Sequence, residues 1–173
     1  MVLVVAATER ELEHVTGAET LVCGVGPVEA GIRTARALAE RAPEGVLHVG
    51  IAGARGLEPL TLVLGSEARY EDADGPLVAA HAFPGAAMFD RAHRALPEAV
   101  VLPIGTSARV GGTRACEVEA MEGFAVLYAC ALAGVPAVEL RVVSNAVDES
   151  DRAKWRFDEA FAALGGAVAR VLA

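Results

Sequence analysis

The sequence predicts an α/β fold, a single domain in which a mixed, largely parallel, twisted sheet is flanked by helices on both faces. Short runs of apolar, β-branched residues alternate along the chain with longer segments whose apolar residues recur at helical spacing. Hydrophobic residues make up 54% of the 173 residues but aromatic residues only 5%, which suits helices packed closely against a sheet. No linker, repeat or low-complexity segment divides the chain, so residues 1–173 are expected to form one domain.

Seven apolar runs predict strands. The run VLVVAA opens the chain, and GVLHVGIAG at 45–53 is typical of a buried strand that runs into a glycine turn. The middle of the chain predicts a more twisted, mixed part of the sheet, with a break near Pro103, before a central strand at 137–147. The predicted strands are 2–7, 20–23, 45–53, 60–70, 76–80, 99–111 and 137–147.

Four segments predict helices. Pro27 takes the first position of the first helix, where a missing N–H costs no hydrogen bond. The third helix contains Glu122 and stops at Gly134-Val135-Pro136, and the last opens near Ser150-Asp151. The predicted helices are 27–42, 86–96, 120–134 and the segment from 150 onward, with Trp155, Phe157, Phe161, Leu164, Val168 and Val171 at helical spacing.

Charge and composition argue against several classes of partner and location. The net charge of −8, without a cluster of Lys or Arg, argues against nucleic acid as a partner. No apolar run approaches the ~20 residues of a membrane span. No basic segment precedes the short apolar N-terminus, so a signal peptide is not expected either. Cys23, Cys116 and Cys130 lack the spacing of metal ligands, which predicts buried thiols of a cytoplasmic protein.

Two polar segments follow predicted strands, and each has two interpretations. The loop CGVGPVEAG at 23–31 has the geometry of an anion site at a helix start, but it lacks the spacing of a dinucleotide-binding loop, and a tight turn explains it equally well. Glu9, Glu11 and Glu13 follow the first strand, at the edge where open α/β sheets bind ligands. A solvated helical turn, with acids favoured by the helix dipole, explains this acidic cluster better from composition alone.

The end of the predicted central strand carries a second polar set: Arg141, Ser144, Asn145 and Asp148. A strand-end position favours a ligand site. A turn with an Asx-type cap before the last helix explains the same residues equally well.

Glu122 is the one charged residue between Glu119 and Glu139, in an almost wholly apolar run. Burying a carboxylate without a partner is costly, so Glu122 is expected to have one. An ion pair with Arg141 or Arg114 would satisfy it, and so would the hydroxyl groups of a bound ligand. Both interpretations stay open from the residues alone.

Six segments, in order and at similar spacing, carry a resemblance to a known family. They are AATERELEHV, GVGPVEAG, GIAGARG and EARYEDAD in the first half, and VEAMEG and LRVVSNAVDESDRAKWRFDEA in the second. Together they resemble the purine and uridine phosphorylase superfamily, in its nucleosidase branch, over nearly the whole chain. The segment SNAVDESDRAKW is most similar to futalosine hydrolases. The resemblance implies a nucleoside phosphorylase-like fold.

The resemblance implies roles at the sugar. Glu122 matches the glutamate that accepts from the ribose hydroxyls and stabilises the positive charge of an oxocarbenium-like sugar. Its partner would then arrive with the ligand, so we expect Glu122 to be unpaired in the empty protein. The backbone amides at the start of its own helix would then stabilise its negative charge. Met121 matches a methionine that packs against the sugar. Glu11, rather than Glu9 or Glu13, matches the general base that activates water.

The resemblance also implies roles at the purine. Arg141 and Ser144 match site-lining positions, and the backbone from Ala108 to Val110 would lie along the purine plane. Asn145 stands where nucleosidases that act on 6-aminopurines carry an aspartate. An asparagine amide can donate to the 6-oxo group or N7 but has no titratable proton, which favours hypoxanthine as the leaving base.

Three further departures from the family pattern affect the prediction. Phosphorylases carry a GDPxRA-type loop near the N-terminus, whereas this chain has AATEREL, whose acids would repel phosphate, with Arg10 and Arg55 nearby. Ile51 replaces a serine of the nucleosidases, so no role is carried over to it. The segment between Asp74 and Val118 is shorter than in relatives, where it supplies contacts to the base and residues of the partner subunit.

The resemblance therefore implies a futalosine hydrolase that releases hypoxanthine from a nucleoside with a bulky 5′-substituent, in menaquinone biosynthesis. It implies no metal and no organic cofactor, a small-molecule nucleoside as ligand, and a homodimer that completes the 5′-pocket. Three alternatives stay open. They are a 5′-methylthioadenosine/S-adenosylhomocysteine nucleosidase, against which Asn145 argues, a purine nucleoside phosphorylase, and a non-catalytic nucleoside sensor.

Overall fold

The computed structural model describes residues 1–73 and 75–173. Within them, eight strands form one sheet, with four α-helices and two short 3-10 turns. The strands are β1 (Val2–Ala6), β2 (Glu19–Val22), β3 (Gly45–Ala54), β4 (Leu62–Tyr70), β5 (His81–Ala82), β6 (Val100–Thr106), β7 (Val118–Ala120) and β8 (Ala137–Ala146). The helices are α1 (Pro27–Arg41), α2 (Ala86–Ala95), α3 (Gly123–Ala133) and α4 (Phe157–Leu172), and the 3-10 turns lie at Arg10–Leu12 and Arg152–Lys154.

Five of the strands close into a small barrel. β3 pairs with β8 in parallel, and β8 pairs with β4 in antiparallel orientation. β4 and β7 each pair with β6 in parallel, and β7 returns to the end of β3 in antiparallel orientation. β1 joins the first half of β3, and β2 joins β1, both in parallel. The predicted mixed, largely parallel sheet is thus confirmed.

Helices cover both faces of the sheet, as predicted. α2 and α4 pack on one face in a core that includes Leu140 of β8, and α1 and α3 pack on the other in a core that includes Val5 of β1. Every residue of β1 is buried, as are the first nine of β8, which explains why both read as continuous apolar runs. No helix among the described residues is long and apolar enough to cross a membrane.

The strand predicted at 76–80 is wrong. These residues form turns and irregular chain, and the strand that pairs with β4 is the two-residue β5 that follows. Leu77 is 98% exposed and Val78 is 49% exposed, so the apolar side chains of this run are not buried in the core. Asp74, which ends the segment EARYEDAD and begins the shortened region, lies outside the described residues.

The strand predicted at 99–111 is shorter and is not broken at Pro103. β6 runs through Pro103 because the pairing register of β4 shifts there: Leu102 lies opposite Gly65 and Pro103 opposite Glu67. This bulge accommodates a residue that has no N–H for the ladder. Residues 107–117 then form a loop, and the short strand β7 that follows it was not predicted.

Two predicted helix starts are also wrong. α3 begins at Gly123 rather than at 120, because Val118–Ala120 pairs as β7 with β3 and β6. The last helix begins at Phe157 rather than near 150. The Asp151 side chain accepts from Ala153 N at 3.0 Å and so caps the 3-10 turn that precedes the helix. Trp155 therefore lies in the connection before α4.

Candidate active site

A cavity of about 320 Å³ opens where β1, β3 and β8 reach their carboxyl ends. Ligands bind at this edge in open α/β sheets because several loops converge there. Six of the seven residues that the sequence assigned to a site line it: Glu11, Val110, Met121, Glu122, Ser144 and Asn145. The seventh, Arg141, lies beneath it.

Glu122 directly precedes α3 and is 4% exposed. Its Oε1 accepts from Gly26 N at 3.0 Å, and its Oε2 lies 3.7 Å from Nη2 of Arg141. Burial raises the pKa of Glu122, and the charge of Arg141 and the Gly26 N–H oppose that rise. The expectation of an unpaired glutamate is therefore wrong, because both neighbours are present without a ligand.

The amide that meets Glu122 belongs to the glycine loop before α1, not to its own helix. Gly26 has a φ of 87°, a left-handed conformation that glycine adopts without strain, and it directly precedes Pro27. The first amide of α3 beyond Gly123, that of Phe124, instead donates to Thr106 Oγ1 at 2.8 Å. The anion at this glycine loop is thus a carboxylate of the protein itself.

The acidic cluster after β1 divides into one buried and two exposed side chains. Glu11 is buried at the cavity, whereas Glu9 and Glu13 are exposed. Thr8 N and Thr8 Oγ1 donate to Glu11 Oε2 at 3.0 and 3.1 Å, and Ile51 N donates to Oε1 at 3.2 Å. These three donors orient the carboxylate. The backbone of Ile51 therefore serves the cavity although its side chain carries no hydroxyl.

Asn145 and Ser144 form a linked pair at the end of β8. Ser144 Oγ donates to Asn145 Oδ1 at 2.7 Å, and Asn145 Nδ2 donates to Ala146 O at 2.8 Å. The amide oxygen is thereby held from behind, and the amide nitrogen has a second N–H to offer. Asp148, from the same polar set, is exposed and does not line the cavity.

Val110 reaches the cavity on a loop that acidic side chains hold in place. Glu119 accepts from Thr113 N and Thr113 Oγ1, both at 2.8 Å, and from Gly111 N. Asp72 accepts from Ser107 Oγ at 3.0 Å. Glu71 accepts from the amides of residues 114–116. The loop at 107–117 thus has a defined course beside the cavity.

Comparison with known proteins identifies the family of the chain. A model of the phosphorylase superfamily matches residues 14–112. Futalosine hydrolase from Thermus thermophilus is 32% identical over 188 residues, which span 91% of this chain and 82% of that protein. The chain belongs to the phosphorylase superfamily.

Two further comparisons refine the placement within the superfamily. Futalosine hydrolase from Streptomyces coelicolor is 51% identical over 71 residues, a match that spans 39% of this chain and 30% of that protein. A solved structure of a futalosine hydrolase mutant of Helicobacter pylori superposes on this chain with a TM-score of 0.89 at 15% identity. The match covers 99% of this chain and 97% of that chain, which shows the same fold. The resemblance to the nucleosidase branch, with futalosine hydrolase among its members, is confirmed.

The sequence did not predict one wall of the cavity. Trp155, Phe157 and Phe161 line it together with Arg10, whose guanidinium carbon lies 5.1 Å from the centre of the Phe161 ring. The sequence pattern had treated the three aromatic residues as helix packing. A signal was available, because the only tryptophan and two of the five phenylalanines fall within residues 155–161 of a chain poor in aromatic residues.

Beneath the cavity, Arg141 is buried among polar side chains. It is 1% exposed, and its Nε donates to Glu139 Oε1 at 2.8 Å. Its Nη2 lies 2.5 Å from Nε2 of His48. Its prediction as a lining residue is corrected: Arg141 does not line the cavity but lies next to Glu122, which does. His48 and Glu139 were not singled out, since each lies within an apolar strand pattern.

The arrangement can bind a polyhydroxylated ligand and activate water. Glu122 and Glu11 supply two carboxylates, and Asn145 supplies an amide at the same cavity. The aromatic side chains form an apolar wall that suits a large substituent. Among the described residues, no group of three His, Cys, Asp or Glu side chains is placed to hold a metal ion.

Proposed function

We propose that this protein hydrolyses the N-ribosidic bond of futalosine, a 6-oxopurine nucleoside, and releases hypoxanthine in menaquinone biosynthesis. The observation that carries the proposal is that Glu11, Glu122 and Asn145, which lie far apart in the sequence, line one cavity at the strand ends. Family membership and the futalosine hydrolase relatives support the same reaction.

Glu122 would bind the ribose and stabilise its developing charge. Its Oε1 accepts from Gly26, while its Oε2 is beyond hydrogen-bonding distance of Arg141, which leaves a lone pair for a ribose hydroxyl. Met121, the preceding residue, would pack against the sugar. A carboxylate at this position favours the oxocarbenium-like transition state over the neutral ground state, which is how it accelerates the reaction.

Glu11 would act as the general base. It takes a proton from water as the water oxygen bonds to C1′ of the ribose. The C1′–N9 bond breaks, its electron pair leaves with the purine, and the purine takes up a proton from solvent while Glu11 returns its own proton to solvent. The donors Thr8 and Ile51 hold Glu11 in one orientation, which limits the reorganisation needed at the moment of reaction.

Asn145 would recognise the leaving base. Its oxygen accepts from Ser144, so its amide nitrogen is the group that faces a ligand as a donor. A donor at this position suits the 6-oxo group or N7 of hypoxanthine and stabilises negative charge on the departing purine. Val110 and the backbone beside it would flank the purine plane.

Water, rather than phosphate, is the proposed nucleophile. The carboxylates of Glu11, Glu119 and Glu122 all line the cavity and would repel an anion. Arg55 donates to the carbonyls of Thr113 and Cys116 and so holds the loop. Arg10, which lines the cavity, donates to the exposed Asp158.

We propose that a second copy of the chain covers the apolar groove between α1 and α3. Val28 and Leu132 line this groove and are 72% and 73% exposed. All of its lining residues are uncharged, and a two-fold dimer buries one such patch against itself. Val25, also exposed, lies on the adjoining loop and lines the cavity, which makes the groove continuous with the site.

This interface makes a testable prediction. In sedimentation velocity the protein should behave as a dimer, and Val28→Glu or Leu132→Glu should shift it to monomer. Val101→Glu, at an exposed valine of β6 outside the groove, is the matched control and should remain dimeric. A wild-type protein that sediments as a monomer at micromolar concentration would contradict the proposal.

The reaction is proposed to take place in the cytoplasm. Cys23, Cys116 and Cys130 are free and buried, and burial raises the pKa of each to about 12. Thiols in this state are unreactive, and their reduced form agrees with a reducing compartment.

The proposed activity is tested by incubating the protein with futalosine, inosine and methylthioadenosine, each with and without phosphate, and following the free base by chromatography. Hypoxanthine from futalosine alone, at a rate independent of phosphate, is the expected result. Release of adenine from methylthioadenosine would assign the adenine-specific nucleosidase instead. Phosphate-dependent turnover would assign a phosphorylase, and a nucleoside that binds without cleavage would assign a sensor.

A further inference from the structure

A buried polar cluster lies directly under the cavity and contacts no ligand position itself. It consists of Arg141 and Glu139 on β8 and His48 on β3, and all three side chains are essentially inaccessible to solvent. Glu139 Oε1 accepts from Nε of Arg141, while Glu139 Oε2 has no hydrogen-bond partner among the described residues. A buried cluster of this kind adds little to stability, because the desolvation of its charges offsets their attraction.

His48 is fixed in one tautomer. Its Nδ1 lies 3.0 Å from the carbonyl oxygen of Val5, so Nδ1 carries the proton and donates to that oxygen. Its Nε2 is then free to accept from Nη2 of Arg141. Burial and the charge of Arg141 hold the pKa of His48 well below its ordinary value, which keeps the ring neutral and the Nε2 lone pair available.

Two glycines make room for this cluster. A Cβ at Gly50 would collide with Nη1 of Arg141 and with Oε1 of Glu11, and a Cβ at Gly123 would collide with the carboxylate of Glu139. Arg141 therefore passes close to both carboxylates of the proposed mechanism. It stands 3.7 Å from Glu122 Oε2, near enough for strong attraction but beyond hydrogen-bonding distance.

We propose that His48 and Glu139 are positioning residues that hold Arg141 back from Glu122, so that Oε2 of Glu122 stays free for the ribose. This inference rests on the proposed function. Without its two anchors, Arg141 would move to Glu122 and form a charge-assisted hydrogen bond, which is the strongest interaction open to both groups. The sugar would then compete with a cation of the protein itself. In its anchored position, Arg141 attracts the carboxylate of Glu122 electrostatically but forms no hydrogen bond to Oε2.

The experiment separates this role from a structural one by a matched pair at His48. His48→Asn keeps a donor for the Val5 carbonyl but loses the acceptor for Arg141. His48→Gln reaches as far as Nε2 and keeps that acceptor, but loses the Val5 bond. Each variant leaves one buried polar group unpaired, so their thermal stabilities should be similar.

The expected result is a difference in activity between the two variants. His48→Asn should raise KM for the nucleoside and lower kcat/KM by about 10- to 100-fold, the loss expected when a binding group is misplaced by about 1 Å. His48→Gln should keep most of the wild-type kcat/KM. A crystal structure of His48→Asn should show Arg141 in direct contact with Glu122.

A second pair tests the other anchor. Glu139→Gln keeps an acceptor for Nε of Arg141, whereas Glu139→Met fills the same space without one, and only the methionine variant should lose activity. Equal activity within both pairs, or an activity loss that follows melting temperature alone, would overturn the inference. If the wild-type protein cleaves no nucleoside, the proposed function fails instead, and the crystal structure of His48→Asn still tests the positioning.

Discussion

At the scale of single residues, the cavity depends on three carboxylates that share one buried arginine. Glu11, Glu122 and Glu139 all act on Arg141; although burial works against its charge, they raise its pKa. One arginine cannot neutralise three carboxylates, and burial raises the pKa of Glu139 as it does that of Glu122. The charged form of these buried carboxylates is therefore costly, and a positively charged transition state would offset that cost.

The two cavity carboxylates should be essential for turnover. Glu11→Gln and Glu122→Gln should each lower kcat by about 10²- to 10⁴-fold, because they remove a general base and a charge-stabilising group respectively. Glu13→Gln, an exposed neighbour of the same acidic cluster, is the control and should be near wild type. The measurement is steady-state release of free base, and near-normal turnover of either variant would remove that residue from the mechanism.

Asn145 should determine which base leaves. Asn145→Asp places a titratable acid where the amide donates now and should shift the ratio of kcat/KM toward adenine nucleosides. Ser144→Ala removes the hydrogen bond to Asn145 Oδ1 without adding an acid, so it should lower activity without changing the base preference. An Asn145→Asp enzyme with unchanged preference would show that base selection lies elsewhere.

At the scale of elements, the loop at 107–117 and the strand ends complete the cavity. The loop is short, and Glu119, Asp72 and Glu71 satisfy its backbone amides, so its course depends on side chains rather than on sheet pairing. Glu119 both lines the cavity and accepts three hydrogen bonds from Gly111 and Thr113. Such a carboxylate holds a loop tightly because each amide it leaves unpaired costs about 1–3 kcal/mol.

Glu119→Ala should therefore loosen the loop. The amides of Gly111 and Thr113 should exchange with solvent faster, and KM for the nucleoside should rise more than kcat falls. Glu117→Ala, two residues away and exposed, is the control. Hydrogen exchange followed by mass spectrometry measures the first effect and steady-state kinetics the second. Unchanged exchange in the alanine variant would mean that Asp72 and Glu71 hold the loop without Glu119.

At the scale of the whole molecule, the barrel brings distant strands to one buried charge cluster. β3 and β8 pair along their length, so His48 lies directly opposite Glu139 in the register. The cluster lies on β3 and β8, in the part of the sheet that helices cover on both faces. Its protonation should therefore be coupled to the global folding equilibrium rather than to local opening.

This coupling predicts how stability depends on pH. The pKa of His48 is lower in the folded protein than its ordinary 6.5, so the unfolded chain binds the proton first as pH falls. The contribution of His48 to the free energy of unfolding should drop below pH 6.5 by about 1.4 kcal/mol per pH unit, down to its folded-state pKa. Glu122 and Glu139, with raised pKa values, contribute the opposite slope above their unfolded-state pKa of 4.5.

The test is thus a difference between two curves. Urea unfolding between pH 5 and 7 should show a smaller decline on acidification for His48→Gln than for wild type. The exposed His93→Gln is the control and should follow the wild-type curve. Parallel curves for His48→Gln and wild type would mean that His48 is not the group that titrates.

Much of the fold and of the site could be predicted from the sequence. The alternation of strand and helix patterns predicts the sheet and its flanking helices, because burial imposes periods of two and about 3.6 residues. The ordered motifs contain five of the predicted residues that line the cavity, and the resemblance that they carry adds Val110. Helix starts were less accurate, since Asp151 caps the 3-10 turn that precedes α4 and the start of α3 depends on a strand pairing.

The sequence by itself determined the fold class, the family and six of the residues that line the cavity, because periodicity and motifs are local properties of the chain. The tertiary structure alone decided which partners Glu122 has and that Trp155, Phe157 and Phe161 form a wall of the cavity. Gly26 and Glu122 are 96 residues apart, and His48 and Arg141 are 93 residues apart. Contacts of that separation depend on how β3 and β8 pair and where α1 and α3 meet. The charge balance of the site follows from those contacts.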